Sequence, residues 1–156
     1  MKCLILAAGY ATRLYPLTEN FPKPLLEVQG KTILDWLIED IETAGLVDEY
    51  VVISNHKFAH HFHAWAEAKL QRITVVDDGT LSNETRLGAV KDIQFAIDAL
   101  GLDDDMLVIA GDNLDADILL GKIAEGLGGI GANPIGHQHQ RHGPHPLRFQ
   151  NPRLGQ

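Results

Sequence analysis

Two cationic residues near the start of the chain, Arg13 and Lys23, have the surroundings of phosphate-binding groups. Arg13 follows an apolar, strand-like run and a small-residue loop with Gly9, which lets backbone N–H groups approach phosphate oxygens. Its planar guanidinium can bind two phosphate oxygens at once. Lys23 lies between Pro22 and Pro24, which restrict the backbone so that the ammonium is presented at little entropic cost. The pattern predicts a polyphosphate site, with Arg13 and Lys23 as the first candidates to hold the ligand.

The two loops belong to longer motifs, LAAGYATRLYPLT and FPKPLLEVQGKTIL. At this spacing the motifs resemble the nucleotide-binding signature of the sugar-phosphate nucleotidyltransferases, also called nucleotide-sugar pyrophosphorylases. The resemblance implies that a sugar 1-phosphate attacks the α-phosphorus of a nucleoside triphosphate, giving a nucleotide sugar and pyrophosphate. Ala11 stands where many members carry a second glycine, and its methyl group would matter only if the residue adopted a positive φ.

The resemblance also implies roles for individual residues. As catalytic residues, Arg13 would hold the triphosphate and the departing pyrophosphate, and Lys23 would hold the attacking phosphate, so that catalysis rests on positioning and charge neutralisation. Asp112, which follows an apolar strand and Gly111, matches the family's metal position and would bind Mg²⁺ together with waters and phosphate oxygens. The implied nucleotide-binding residues are Leu6, Ala8, Gly9, Tyr10, Ala11, Thr12, Arg13, Asn83 and Gly88.

Each of these assignments has a structural alternative. In isolation Arg13 and Lys23 would be interpreted as exposed surface cations, and it is the paired motifs that favour the functional interpretation. Asp112 followed by an asparagine is also a common turn after a strand. Asn83 has an amide that suits a pyrimidine edge, and Gly88 would let the backbone approach the nucleotide. A solvated loop residue and a residue at the start of a helix fit these two positions equally well.

The charge and the cysteine content exclude several kinds of partner and compartment. A formal net charge of -8 argues against nucleic acid or an anionic membrane, because both require a basic face. The expected partners are instead a nucleoside triphosphate and a sugar 1-phosphate. Cys3 is the one cysteine among 156 residues and cannot form an internal disulfide, which favours a cytoplasmic location. The apolar start is short for a secretory signal, and no stretch approaches the roughly 18 apolar residues of a membrane helix.

Alternating strand-like and helix-like segments predict an α/β fold. Continuous apolar runs, typical of strands buried on both faces, lie near Cys3, Val51, Val75 and Val108. Helical spacing covers residues 32–44, 58–65 and 86–100, the last with a stripe formed by Val90, Ile93, Ile97 and Leu100. These segments predict a three-layer, Rossmann-like, mainly parallel sheet, which is the nucleotide-diphospho-sugar transferase fold that the resemblance implies. The loops after Ala7 and Ala110 should then meet at the carboxyl edge of the sheet.

The composition changes at about residue 121, so we expect two parts. Residues 1–120 are predicted to form the N-terminal part of a nucleotidyltransferase, and residues 121–156 an atypical Gly/His/Pro-rich tail that is disordered, truncated or out of frame. Such a chain should bind nucleotide but turn it over poorly, and exposed apolar surface should favour a homo-oligomer. The alternatives are a nucleotide-sensing or scaffolding module of the same fold and, on the glycines of residues 126–131 alone, a dinucleotide-binding oxidoreductase.

Overall fold

The computed structural model describes residues 1–112, which form an α/β unit. The elements in this range are β1 (Lys2–Leu6), β2 (Glu27–Val28), β3 (Lys31–Thr32), α1 (Ile33–Ala44), β4 (Glu49–Ser54), α2 (Ala59–Glu67), β5 (Ile73–Asp77), α3 (Ala89–Leu100) and β6 (Met106–Ala110). Four of the strands form one parallel sheet in the order β5-β4-β1-β6, and β2 and β3 form a separate antiparallel pair. The predicted parallel sheet is confirmed, while the tail at 121–156 and the glycines at 126–131 lie outside the described residues.

Helices cover both faces of this sheet. On one face α1 and α2 pack on Cys3 and Ile5 of β1 and on alternate residues of β4. On the other face Ala96 of α3 packs on Leu4 of β1 and on the remaining apolar residues of β4. Since successive side chains of a strand point to opposite faces, the continuous apolar runs supply both cores. The predicted three-layer architecture is therefore confirmed, with β1 between two partner strands and buried on both sides.

The first helix shows how local sequence sets the element boundaries. Thr32 caps α1, because its Oγ1 accepts from the backbone N–H of Asp35 at 3.0 Å, and the Asp35 carboxylate accepts from the N–H of Thr32 at 3.1 Å. Gly45 ends the helix with a φ of 65°, a conformation that glycine adopts without strain. Across residues 1–112, no helix has both the length and the apolar character needed to span a membrane.

The third helix differs from the prediction. It begins at Ala89 and not near residue 86, because Gly88 has a φ of 86° and a ψ of 160°, which lies outside the helical region. The buried residues of α3 are Asp92 and Ala96, whereas Val90 of the predicted stripe is 81% exposed. The buried face is thus rotated away from the stripe that apolar spacing indicates, and it carries an acidic residue inward.

Candidate functional site

The loops after β1 and β6 meet at the carboxyl edge of the sheet, as predicted. Lys23 Nζ lies 3.2 Å from Asp112 Oδ2, although the two residues are far apart in sequence. A cavity of about 90 Å³ lies beside this ion pair, and we name it the lysine cavity; its lining residues are Leu6, Ala7, Gly9, Lys23, Pro24 and Asp112. The structure therefore brings the candidate phosphate ligand, the candidate metal ligand and the glycine loop to one place.

Local packing presents both charged groups of the lysine cavity. Lys23 opens a short 3₁₀ turn, Lys23–Leu25, in which Pro24 and Leu25 are buried. Asp112 follows Gly111, whose N–H donates to the carbonyl of Leu6 at 2.8 Å. A Cβ on Gly111 would lie 3.1 Å from that same carbonyl oxygen, so a side chain there would force β6 away from β1. Gly111 thereby lets the end of β6 lie close enough to β1 to place Asp112 opposite Lys23.

The Gly9 loop is anchored from beneath by a residue that the sequence interpretation missed. Asn55, at the end of β4, is fully buried. Its Nδ2 donates to the Ala8 carbonyl at 3.1 Å, and its Oδ1 accepts from the backbone N–H of Phe58 at 2.9 Å. Above the loop, a Cβ built on Gly9 would meet nothing within 4 Å. The backbone at Gly9 is therefore fixed on its inner side and open on its outer side, where a ligand could approach.

Tyr10, an expected nucleotide-binding residue, points into the core. Its ring is 3% exposed and packs near Phe58, while its hydroxyl donates to the Thr80 carbonyl at 3.1 Å. Burial raises the pKa of this phenol, with further contributions from the negative charges of Asp78 and Asp77. Only the backbone of Tyr10 is thus placed to meet a nucleotide, and the side chain ties the loop after β1 to the loop after β5.

Ala11 adopts the positive φ at which its methyl group is expected to matter. The residue has a φ of 47° and a ψ of 46°, in the left-handed region where a Cβ costs about 1–2 kcal/mol. Thr18 Oγ1 and the N–H of Leu14 both donate to the Ala11 carbonyl, at 2.8 and 3.0 Å, and hold this conformation. The condition under which the missing glycine matters is therefore met.

Thr12 and Arg13 follow directly, in an exposed 3₁₀ turn, Thr12–Leu14. Neither residue is buried, and the guanidinium of Arg13 has no ion pair among residues 1–112. An arginine in this state keeps all five N–H donors for a ligand. Its predicted role in holding the triphosphate stays a prediction.

A second cavity, of about 240 Å³, adjoins the same loop, and we name it the arginine cavity. Its lining residues are Leu6, Ala8, Gly9, Arg86, Gly88, Ala89 and Asp92. Gly88 lines this cavity and also precedes the first residue of α3, while its approach to a nucleotide stays a prediction. Asn83 does not line it; its Oδ1 instead accepts from Arg86 Nη1 at 2.6 Å. Asn83 thus supports Arg86, which the sequence interpretation missed although it stands two residues before the glycine.

The acidic residue in the arginine cavity has an unusual environment. Asp92 is 6% exposed and its neighbour Asp78 is 7% exposed. Burial raises the pKa of Asp92 to about 6, and the charge of Asp78 and a hydrogen bond to it act in the same direction. Asp78 Oδ1 accepts from both the N–H and the Oγ1 of Thr80 at 2.7 Å. The two carboxyl groups therefore form a buried acidic pair under the first turn of α3.

A larger cavity, of about 360 Å³, lies at the opposite edge of the sheet. Four of the charged groups that line it are paired, since the Met1 ammonium bonds Asp48 and Lys2 pairs with Glu49. Ligands of open parallel sheets bind at the carboxyl ends of the strands. We therefore place the functional site at the lysine and arginine cavities and not at the larger one.

The chain is similar to several known proteins. Mannose-1-phosphate guanylyltransferase 1 of Arabidopsis thaliana is 36% identical over 107 residues, which are 64% of this chain and 27% of that protein. The bifunctional protein GlmU of Methanococcus vannielii is 57% identical over 42 residues, 27% of this chain and 10% of that protein. The solved CTP:phosphocholine cytidylyltransferase of Streptococcus pneumoniae is 28% identical, with a TM-score of 0.54 over 71% of this chain and 44% of that one.

The matched segments cover less than half of each of these three proteins. A family model described as nucleotidyl transferase matches residues 2–124, and this range contains both motifs, both cavities and Asp112. The chain belongs to the nucleotidyl transferase family.

Proposed function

We propose that this chain is the nucleotide-binding part of an enzyme that joins a nucleoside triphosphate to a sugar 1-phosphate, giving a nucleotide sugar and pyrophosphate. The observation that carries the proposal is the contact of Lys23 Nζ with Asp112 Oδ2 at 3.2 Å beside the open Gly9 loop. A lysine, a carboxylate and an accessible backbone at the carboxyl edge of a parallel sheet suit a ligand with several phosphate groups.

The proposed chemistry is the attack of one phosphate oxygen on another phosphorus. Both reactants are anions, so the protein must hold them together against their repulsion and neutralise the charge of the leaving pyrophosphate. Lys23, whose ammonium faces the lysine cavity, would hold the attacking phosphate near the α-phosphate. Arg13 would hold the triphosphate and the pyrophosphate that leaves, through a planar fork that matches phosphate oxygens.

The residues of the lysine cavity fit a magnesium ion. Asp112 offers a hard carboxylate whose side chain is 53% exposed, and Mg²⁺ is usually held by one or two carboxylates, with waters and substrate phosphates completing the octahedron. No group of three or more His, Cys, Asp or Glu side chains that could hold a metal ion occurs within residues 1–112. When bound, the ion would neutralise charge on the phosphate oxygens.

The arginine cavity would hold the nucleoside part of the ligand. It adjoins the lysine cavity through Leu6 and Gly9 and has more than twice the volume. Gly88 and Ala89 leave backbone atoms at its wall, and Arg86 is held by Asn83 in place beside them. Shape and backbone contacts of this kind suit a base and a ribose better than a cluster of phosphates.

A second function, nucleotide binding without turnover, is favoured by one observation. Asp112 is the sole carboxylate that lines the lysine cavity within the described residues. A sensing or scaffolding module needs only to bind nucleotide there, whereas a transferase must also orient a sugar 1-phosphate. The two functions differ in whether pyrophosphate is released.

The test combines binding and turnover on the 156-residue chain. Nucleoside triphosphates with Mg²⁺ should raise the thermal unfolding midpoint, because a ligand at 100 times its dissociation constant stabilises by about 2.7 kcal/mol. Lys23→Ala should reduce this shift. Lys91→Ala should leave the shift unchanged. Lys91 is an exposed residue of α3, so this substitution removes the same charge outside both cavities.

Pyrophosphate release with a panel of sugar 1-phosphates then separates the two functions. Release that depends on Lys23 supports the transferase, and binding without release supports the sensing module. If no triphosphate shifts the unfolding midpoint at any concentration, both functions are wrong for this chain.

A further inference from the structure

Two oxygens of the buried acidic pair of Asp78 and Asp92 have no partner among residues 1–112. Asp78 Oδ2 and Asp92 Oδ1 are inaccessible to solvent and form no hydrogen bond within this range. An ionised carboxylate in such a place is expensive, and two neighbouring ones also repel each other. A single proton shared between the two groups would satisfy both oxygens and remove the repulsion. The geometry thus fits one neutral and one ionised carboxyl group.

This pair joins one wall of the arginine cavity, at Asp92, to the start of the loop after β5. Asp78 belongs to the loop after β5, where its Oδ1 accepts two bonds from Thr80. Asp92 lies in the first turn of α3 and lines the cavity, and its backbone N–H donates to the Gly88 carbonyl at 2.9 Å. A bond between the two side chains therefore ties Gly88 and Ala89 to the loop after β5.

Charged and titratable groups near the pair have other partners. Asp77 Oδ2 accepts from His56 Nδ1 at 2.5 Å, and the Tyr10 hydroxyl donates to the Thr80 carbonyl. Arg86 lines the same cavity as Asp92, but its guanidinium bonds Asn83. Within residues 1–112 no cation forms an ion pair with Asp78 or Asp92. The proton is thus the group that can join the two carboxyls.

We propose that Asp92 is a positioning residue for the nucleotide: as a neutral acid it donates a hydrogen bond to Asp78 and holds Gly88 and Ala89 in the cavity wall. The proposal rests on the proposed function, which assigns the arginine cavity to the nucleoside. On this proposal, nucleotide affinity depends on the protonation of a protein side chain, the Asp92 carboxyl.

The direction of the pH dependence follows from the raised pKa of Asp92. The folded chain keeps the proton up to about pH 6, whereas the unfolded chain releases it near the ordinary value of about 4. The stability that this group contributes is therefore complete below about pH 4 and is lost as the pH rises towards 6. Above that range Asp92 has lost its proton, the tie is broken, and the cavity wall is held less firmly.

The experiment measures the affinity of the full chain for a fluorescent nucleoside triphosphate analogue between about pH 5 and pH 8. Asp92→Asn supplies an amide donor at every pH, so this position should cause no loss of affinity as the pH rises. The affinity of the wild type should fall about tenfold relative to this variant if binding raises the pKa of Asp92 by about one. Asp92→Ala should bind more weakly than Asp92→Asn throughout. Asp98→Asn, which removes an exposed charge from the same helix, should follow the wild type.

The ratio of wild type to Asp92→Asn is the quantity that decides, because the phosphates of the ligand titrate equally with both proteins. A constant ratio, in proteins that bind the analogue, overturns the positioning role and leaves the proposed function intact. Absence of binding by every variant at every pH overturns both.

A second measurement does not depend on any variant folding. Carboxyl ¹³C NMR of the wild type should show that saturating nucleotide raises the pKa of Asp92, because binding favours the joined pair. An unchanged pKa in a protein saturated with nucleotide overturns the positioning role.

Discussion

The lysine cavity and the arginine cavity share Leu6 and Gly9 but are built in different ways. The lysine cavity is small and is defined by two charged groups presented on loops, Lys23 and Asp112. The arginine cavity is larger and combines a glycine in an unusual conformation and a buried acid with Arg86. On the proposed function, the phosphate end would depend mainly on charge and the nucleoside end mainly on shape.

Charge and shape respond differently to substitution, which makes the comparison testable. A residue that supports the shared loop should affect both cavities together. A charged residue of the phosphate end should affect only ligands that carry several phosphates, whereas a backbone change at the other end should affect every nucleotide.

The largest expected effect is that of Asn55→Ala at the shared loop. The substitution leaves the Ala8 carbonyl and the Phe58 N–H without their buried partner, which should lower the free energy of unfolding by about 3 kcal/mol. Urea unfolding gives the value. Asn55→Asp, which still accepts from Phe58 but cannot donate to Ala8, should weaken the binding of nucleoside mono- and triphosphates alike. A loss of affinity for only one of the two ligands would contradict the interpretation that this loop serves both cavities.

Arg13→Ala should have the next largest effect, and it should be selective. Loss of a charge-assisted donor pair should weaken triphosphate binding by about 30-fold, or roughly 2 kcal/mol, and leave monophosphate binding nearly unchanged. Arg86→Ala should weaken the binding of both nucleotides to the same extent, because Arg86 lines the arginine cavity. Calorimetric titration with both nucleotides measures the ratio, and equal losses for Arg13→Ala would place that residue outside the phosphate end.

Gly88→Ala tests the effect of the backbone conformation of Gly88 separately from that of steric crowding. A Cβ at Gly88 would meet nothing within 4 Å, but its φ of 86° and ψ of 160° lie in a region that costs a side chain about 1–3 kcal/mol. We therefore expect lower stability in thermal unfolding. Gly9→Ala is the matched control, since Gly9 has equally open space and no such φ; it should keep its stability and lose nucleotide affinity. If the two alanine variants unfold alike, the conformation of Gly88 is not strained.

The smallest effect should be a gain. Ala11→Gly relieves the left-handed conformation of Ala11, with its φ of 47°, and should raise the free energy of unfolding by about 1 kcal/mol. The gain is partly offset because glycine is more flexible in the unfolded chain. Chemical denaturation measures it, and a loss of stability would show that the methyl group makes contacts that outweigh the strain.

The fold could be predicted because its strands are nearly uniform apolar runs. Residues 3–5 of β1 and 50–53 of β4 are almost completely buried, and such runs indicate strands covered on both faces. Parallel order then places the loops after β1 and β6 at one edge, so the meeting of Lys23 with Asp112 followed from topology. The motif residues of the lysine cavity were accessible to sequence reasoning for this reason.

The arginine cavity was less predictable because its features depend on tertiary partners. Helical spacing indicates a buried stripe through Val90, yet Val90 is exposed and Asp92 is buried next to Asp78. In the sequence alone, Asn55 is a typical turn residue after a strand. Its role in holding the Gly9 loop can be recognised only once the Ala8 carbonyl is known to lie beside it. Alanine gives no local signal for a positive φ, so the conformation of Ala11 could not be anticipated either.

The central position of β1 has a consequence for the order in which the chain acquires structure. Lys2 pairs with Glu49 on one side and with Met106 on the other, contacts that span about fifty and about a hundred residues and must wait for a long loop to close. During synthesis the loop with Gly9 leaves the ribosome early, but β4 and β6, the strands that flank β1, follow much later. The backbone at Gly9 should therefore reach its final geometry only in the last stage of folding, after β6 has been added to the sheet.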